Sequence, residues 1–120
     1  MTKIDKKLLH TVLNQMFEAT PQATAIETSS RTFNGADMSQ SILFVTRALQ
    51  KYGIEPEEPV ACLLSPSPES VFSMLGIWAA GGVFFPLDPL LPDDLLKKYL
   101  EVVQPEKLII EPGQVERMQV

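Results

Sequence analysis

The chain has 120 residues, 45% hydrophobic and 21% charged, which is room for one modest core rather than two domains. Its net charge of -5 and scattered basic residues exclude a nucleic-acid surface or an anionic membrane partner, since both need clustered Lys and Arg. A single cysteine excludes an internal disulfide, and no signal-peptide pattern or bilayer-length apolar run is present, so a reducing cytoplasm is the expected location.

From Lys6 to Thr20, residues Leu8, Leu9, Val12, Leu13, Met16 and Phe17 recur at helical spacing, and Pro21 closes the helix. Ala23 to Glu27 and Arg31 to Phe33 are short strand candidates joined by Thr28-Ser29-Ser30, as in a small hairpin. Asn34 is a helix N-cap with Asp37 three residues on, which predicts a helix from near Gly35 to Tyr52. Its inner stripe is Met38, Ile42, Val45 and Leu49, and Gly53 and Pro56 stop it.

Val60 to Leu64 is apolar without alternation, the pattern of a strand covered on both faces. Ser67-Pro68-Glu69 combines a serine cap, a proline at the first helical position and an acid against the dipole. The helix that follows, Val71 to Ala80, is apolar on nearly every side. Gly81-Gly82 should end it, and Val83-Phe84-Phe85 then reads as a short core strand. Pro86 and Pro89 should make its pairing fade by Leu87 and turn the chain at Asp88.

Pro92-Asp93-Asp94 opens a helix whose buried stripe is Leu95, Leu96, Tyr99, Leu100 and Val103, with Lys97, Lys98 and Glu101 facing water. Pro105 ends it, and Lys107 to Ile110 is a last strand. Residues 111–120 show no clear period, so 1–110 reads as the folded unit and the rest as a tail of uncertain order. Strands alternating with helices imply right-handed crossovers and a three-layer α/β sandwich on a mostly parallel sheet with flanking helices.

Several stretches, in order from about Leu9 to Ile110, resemble the adenylate-forming enzymes, most closely the amino-acid-activating adenylation domains of nonribosomal peptide synthetases. Phe17 to Ile26 is similar to the family's opening helix and first strand. Phe33-Asn34-Gly35-Ala36-Asp37-Met38 resembles the first core motif, Leu-Thr-Tyr-x-Glu-Leu. Ser67-Pro68-Glu69 and Trp78 to Pro89 resemble the second, Leu-Lys-Ala-Gly followed by an aromatic and Val-Pro-Leu-Asp-Pro. Gly35, Ala79, Leu91 and Leu95 depart from it, standing where the family has Tyr, Lys, Tyr and Arg. The resemblance implies an N-terminal part of an α/β subdomain. The phosphate loop with its lysine, the ribose-binding acid and the catalytic lysine are expected beyond residue 120.

No residue here is therefore expected to be catalytic, to bind a cofactor or to hold a metal. Asn34, Asp37, Ser67, Pro68, Glu69, Gly81, Gly82, Pro86, Asp88 and Pro89 are the motif residues, with structural roles. Gly81-Gly82 precedes a strand, not the helix that a phosphate cradle needs. Asp88, Asp93 and Asp94 read as turn and first-turn acids, His10 as a lone surface histidine, Cys62 as a small hydrophobe and Trp78 as a core or interface anchor. For a full-length parent the family implies ATP and Mg²⁺, and activation of an amino or acyl acid to an acyl-adenylate that passes to a thiol. The chain alone is expected to be an inactive part of such a domain, from an excised segment or a split enzyme; the alternative is a truncated, non-catalytic interaction or scaffold module. Because few elements cover Val60 to Leu64 and Val71 to Ala80, partners are expected to be a second copy or the remainder of an adenylation domain.

Overall fold

The computed structural model describes residues 9–119. It opens with helix α1 (Leu9–Ala19), which leads into an antiparallel hairpin of β1 (Thr24–Glu27) and β2 (Thr32–Asn34). The Thr28 hydroxyl closes the hairpin turn, accepting from the Ser30 and Arg31 N–H groups. Leu8 lies outside the described residues. The α1 face is narrower than its spacing predicts: Leu13 and Phe17 pack inward, while Leu9, Val12 and Met16 are exposed.

Helix α2 (Gly35–Lys51) starts where Asn34 and Asp37 form a reciprocal cap, the Asp37 N–H donating to Asn34 Oδ1 at 2.8 Å and the Asn34 N–H to Asp37 Oδ2 at 2.9 Å. Gly35, the departure from tyrosine, fits its place: a Cβ there would lie 2.6 Å from the carbonyl oxygens of Phe17 and Thr20. Met38, Ile42, Val45 and Leu49 are all buried, as their spacing predicts.

Strand β3 (Pro59–Leu63), helix α3 (Pro68–Ala79), strand β4 (Val83–Leu87), helix α4 (Asp93–Val103) and strand β5 (Lys107–Ile110) follow, and a 3-10 helix, Pro112–Gln119, ends the described chain. The sheet is parallel, in the order β4-β3-β5. Alternate residues of the central strand face opposite layers. Val60 and Cys62 pack under α2 and α3 against Val45, Leu49 and Ile77, whereas Ala61 and Leu63 meet Leu87 and Leu96 on the α4 side. This is the expected three-layer arrangement, with α1 and the hairpin closing over Met38, Ile42 and Leu75 at one end.

Further expectations need correction. Strand β4 is an edge strand with Val83 exposed, not a core strand, and it pairs through Leu87 with Pro86 opposite Cys62. The Val83 N–H donates to the Glu58 carbonyl, so odd-numbered β4 residues face β3 and Pro86 turns its missing donor outward, where none is needed. On α4, Leu96 is the one stripe residue that is fully buried, and Tyr99 is 42% exposed. In segment 112–119 Met118 packs on the α4-side core and Arg117 is held by the loop after β4. Finally, β3 and α3 are covered within the chain by α1, α2, α4 and the hairpin. Exposed large apolar side chains are spread over several elements, among them Leu43, Phe44 and Tyr52 on α2 and at its end, Leu90 after β4 and Val102 on α4.

Candidate functional site

The stretch around Gly81 joins a helix, a reversal and a strand through local backbone chemistry. Gly81 takes φ +85°, its N–H donates to the Trp78 carbonyl at 3.0 Å and the Gly82 N–H to the Ile77 carbonyl at 2.9 Å, which satisfies the last carbonyls of α3. Gly53 ends α2 in the same way, with φ +73°. The loop before β3 then clasps the reversal. Glu57 adopts φ +62° and its N–H reaches the Gly81 carbonyl at 2.8 Å. Gly82 allows this approach, because a Cβ there would lie 2.9 Å from the Ile54 side chain and 3.1 Å from the Glu58 carbonyl.

In parallel sheets, ligands bind outside the carboxyl ends of strands whose exits diverge to opposite faces. Here β3 exits toward α3 on one face, while β4 exits toward α4 on the other. Beside the β3 and β5 ends lies a cleft of about 530 Å³, lined by Arg31, Ser67, Glu69, Phe72, Ile110 and Glu111 among others. Its polar groups satisfy one another. Arg31 reaches from the hairpin to form a two-pronged ion pair with Glu69 (Nη2 to Oε2, 2.9 Å) and lies over the Phe33 ring. Ser65 Oγ donates to Glu111 Oε1 at 2.7 Å, and Ser67 Oγ to the Ser65 carbonyl at 2.9 Å. The Arg31 guanidinium holds the Glu69 carboxyl below its ordinary value, and Glu69 raises Arg31 in turn.

Sequence reasoning located Ser67, Pro68 and Glu69 at the start of α3, and the structure adds Ser70, which completes a reciprocal cap with Ser67 at 3.2 Å each way. It missed Arg31, Ser65, Glu111 and Arg117, whose partners are 38, 46, 46 and 24–28 residues away, so no local pattern marks them. Asp88 forms a turn, accepting from the Leu90 N–H at 2.9 Å, and Pro89 offers its carbonyl to Arg117. Asp93 pairs with the same arginine at 2.6 Å. His10 shares a shallow hollow with Trp78 and the two glycines, and Trp78 meets Phe84 edge-on at 6.4 Å. Cys62 is 3% exposed and its thiol is pushed up to about 12 by burial, so it is no nucleophile in the folded chain.

The described residues do not fit Mg²⁺ and a nucleotide. The Gly81, Gly82 and Val83 N–H groups are all taken by backbone carbonyls, leaving no cradle for phosphate, and Glu69 puts a carboxylate in the first turn of α3. No group of three His, Cys, Asp or Glu among the described residues is gathered for a metal. What the surface does offer is an apolar groove of about 550 Å³ between α2 and β5. Phe44, Ala48 and Tyr52 form one wall and Leu108 and Ile109 the other.

Solved structures share this fold. VinN, solved with 3-methylaspartate, superposes with a TM-score of 0.87 at 23% identity, over 94% of this chain and 32% of VinN. The nonribosomal peptide synthetase FmoA3, solved with α-methyl-L-serine-AMP, gives 0.85 at 21% identity, over 90% of this chain and 12% of FmoA3. In sequence, malpinin synthetase of Mortierella alpina is 33% identical over 105 residues, 88% of this chain. The chain spans only 1% of that synthetase's length. The family described as AMP-binding enzyme matches residues 13–119. The match runs through both core-motif segments and nearly every described element, and the chain belongs to the AMP-binding enzyme family.

Proposed function

We propose that the chain serves as the N-terminal portion of an adenylation domain that activates an amino acid, or another carboxylic acid, with ATP and Mg²⁺ to an acyl-adenylate for transfer to a thiol. The observation that carries this reading is the family match over residues 13–119, which includes both motif segments and the Gly81-Gly82 reversal. VinN and FmoA3, each solved with an amino acid or its adenylate, support the choice of substrate class. On this reading ATP and Mg²⁺ are held by residues outside 9–119, and this chain contributes a layer of scaffold and a surface for the remainder of the domain. The buried, unreactive Cys62 suits a reducing cytoplasm. Without the remainder, the chain self-associates as a homodimer.

ATP–pyrophosphate exchange tests the assignment. The purified chain alone should give background exchange with every amino acid tried. Mixed with an adenylation domain lacking the corresponding segment, it should restore exchange. Turnover by the chain alone would overturn the division of labour. Failure to complement, with the chain folded, would favour the non-catalytic interaction module instead.

A further inference from the structure

Strands β3 and β4, whose exits diverge to opposite faces, leave the sheet by two short loops, 64–67 and 88–92. Both loops are gripped by side chains of one segment, the stretch that follows β5. Its first residue, Glu111, accepts through Oε1 from the Ser65 N–H at 3.3 Å and the Ser65 hydroxyl at 2.7 Å. Farther along, Arg117 donates from all three guanidinium nitrogens. Nη1 reaches the Pro89 carbonyl at 2.8 Å and Gln114 Oε1 at 3.0 Å, Nη2 the Leu91 carbonyl at 2.6 Å, and Nε the Asp93 Oδ1 at 2.8 Å. Gln114 joins the two grips, since its own N–H donates to the Glu111 carbonyl at 3.0 Å. Met118 rests on the core of Leu63, Leu87 and Leu96, so the segment crosses the sheet on its α4 side.

The chemistry of each grip suits its loop. In 88–92, Pro89 and Pro92 have no N–H, and the Leu90 and Leu91 N–H groups are spent on the Asp88 side chain and carbonyl, so the loop has carbonyls left to offer. A planar guanidinium meets two carbonyls and a carboxylate at once, which a lysine ammonium, a single point charge, is not shaped to do. At Ser65 the loop offers donors instead, and a carboxylate accepts them. We propose that residues 111–119 are a strap that sets the separation of the two exit loops, so that releasing either end loosens both. The coupling runs through Gln114, which is bonded to both grips. This device goes beyond the function proposed above and does not depend on it.

Pulsed electron resonance between spin labels at Pro66→Cys and Leu90→Cys, one exposed position on each loop, tests this. Excess unlabelled chain restricts the reading to distances within one molecule. The parent should give one narrow distance, and Arg117→Lys and Glu111→Ala should each widen the distribution about twofold or more. Amide hydrogen exchange on the unlabelled variants supplies the second reading. Arg117→Lys should speed exchange at Leu90 and Leu91 about tenfold or more, and Glu111→Ala should do so at Ser65. Each should also speed exchange at the other loop, while the Val60 to Leu63 amides, bonded within the sheet, keep their rates. An unchanged distance distribution in both variants overturns the strap. So does loosening confined to the loop beside the substitution, which would mean two separate contacts. The variants act at opposite ends, so if one fails to fold the other decides.

Discussion

Helix α3 is apolar on nearly every side, yet Val71 is the one large apolar side chain on it that is exposed, and Phe72, Met74 and Trp78 are partly buried. Helix α2 has a clean inner stripe and an otherwise polar sequence, yet Leu43, Phe44 and the capping Tyr52 stand out from it. The contrast follows from layers rather than hydropathy. Helix α3 lies between α1, α2, the hairpin and the sheet, while the outer side of α2 meets nothing further in the described chain. Exposure therefore follows an element's place in the layers, and the most apolar segment need not be the most exposed.

Substitutions can break that contrast in graded steps. Leu75→Ala, at a position 2% exposed between Met38 and Ile42, should cost about 2–5 kcal/mol in urea melts. A melt matching wild type would mean that α3 is not the packed centre described here. Gly76→Ala acts at the crossing itself, where a Cβ would lie 2.6 Å from Cβ and Cγ1 of Val45. Overpacking costs about 1–3 kcal/mol, partly offset by a helix-propensity gain of about 1 kcal/mol. The loss caused by Gly76→Ala should be smaller in a Val45→Gly background, which removes both contacted atoms, and additive losses would refute the crossing.

Acid should loosen the covers of both helices by a smaller amount. Arg31 holds Glu69 below the usual 4.5 and so ties the hairpin to α3; Lys107, followed by the Glu55 backbone, does the same for Glu58 near β5. Because both folded values are depressed, their stabilisation is full above about 4.5 and is lost as pH falls through the lower folded values. Melts from pH 7 down to 3 should show this loss, and Glu58→Gln should flatten part of it. The smallest effect is expected at Phe44→Ser, within about 0.5 kcal/mol of wild type for the monomer. A large loss there would mean that Phe44 is core, and the contrast between the helices would fail.

Features set by neighbouring residues were legible in the sequence. Asn34, Ser67, Gly53 and Gly81 begin or end helices through bonds spanning a few residues, and their chemistry is written locally. Pro86 misled because its effect depends on whether β4 has one neighbour or two, a fact held elsewhere in the chain. Tyr99 follows the period of α4 but lies at the rim of a layer whose width no periodicity reveals. The polar network at the strand ends was hidden for the same reason. Arg31 and Glu69 remain surface charges that meet only when the hairpin folds over α3, and Arg117 sits in a stretch without period until the loop after β4 supplies its acceptors.

Cys62 gives the protein a built-in clock. It lies on the central strand at 3% exposure, with its ionisation pushed up to about 12, so thiolate is almost absent from the folded molecule near neutrality. Alkylating reagents attack thiolate, and they reach this sulfur only when the layers on one face of the sheet part. Labelling under native conditions then measures how often the central strand is uncovered. Since Cys62 is the only cysteine in the chain, the signal comes from one position and needs no engineered probe.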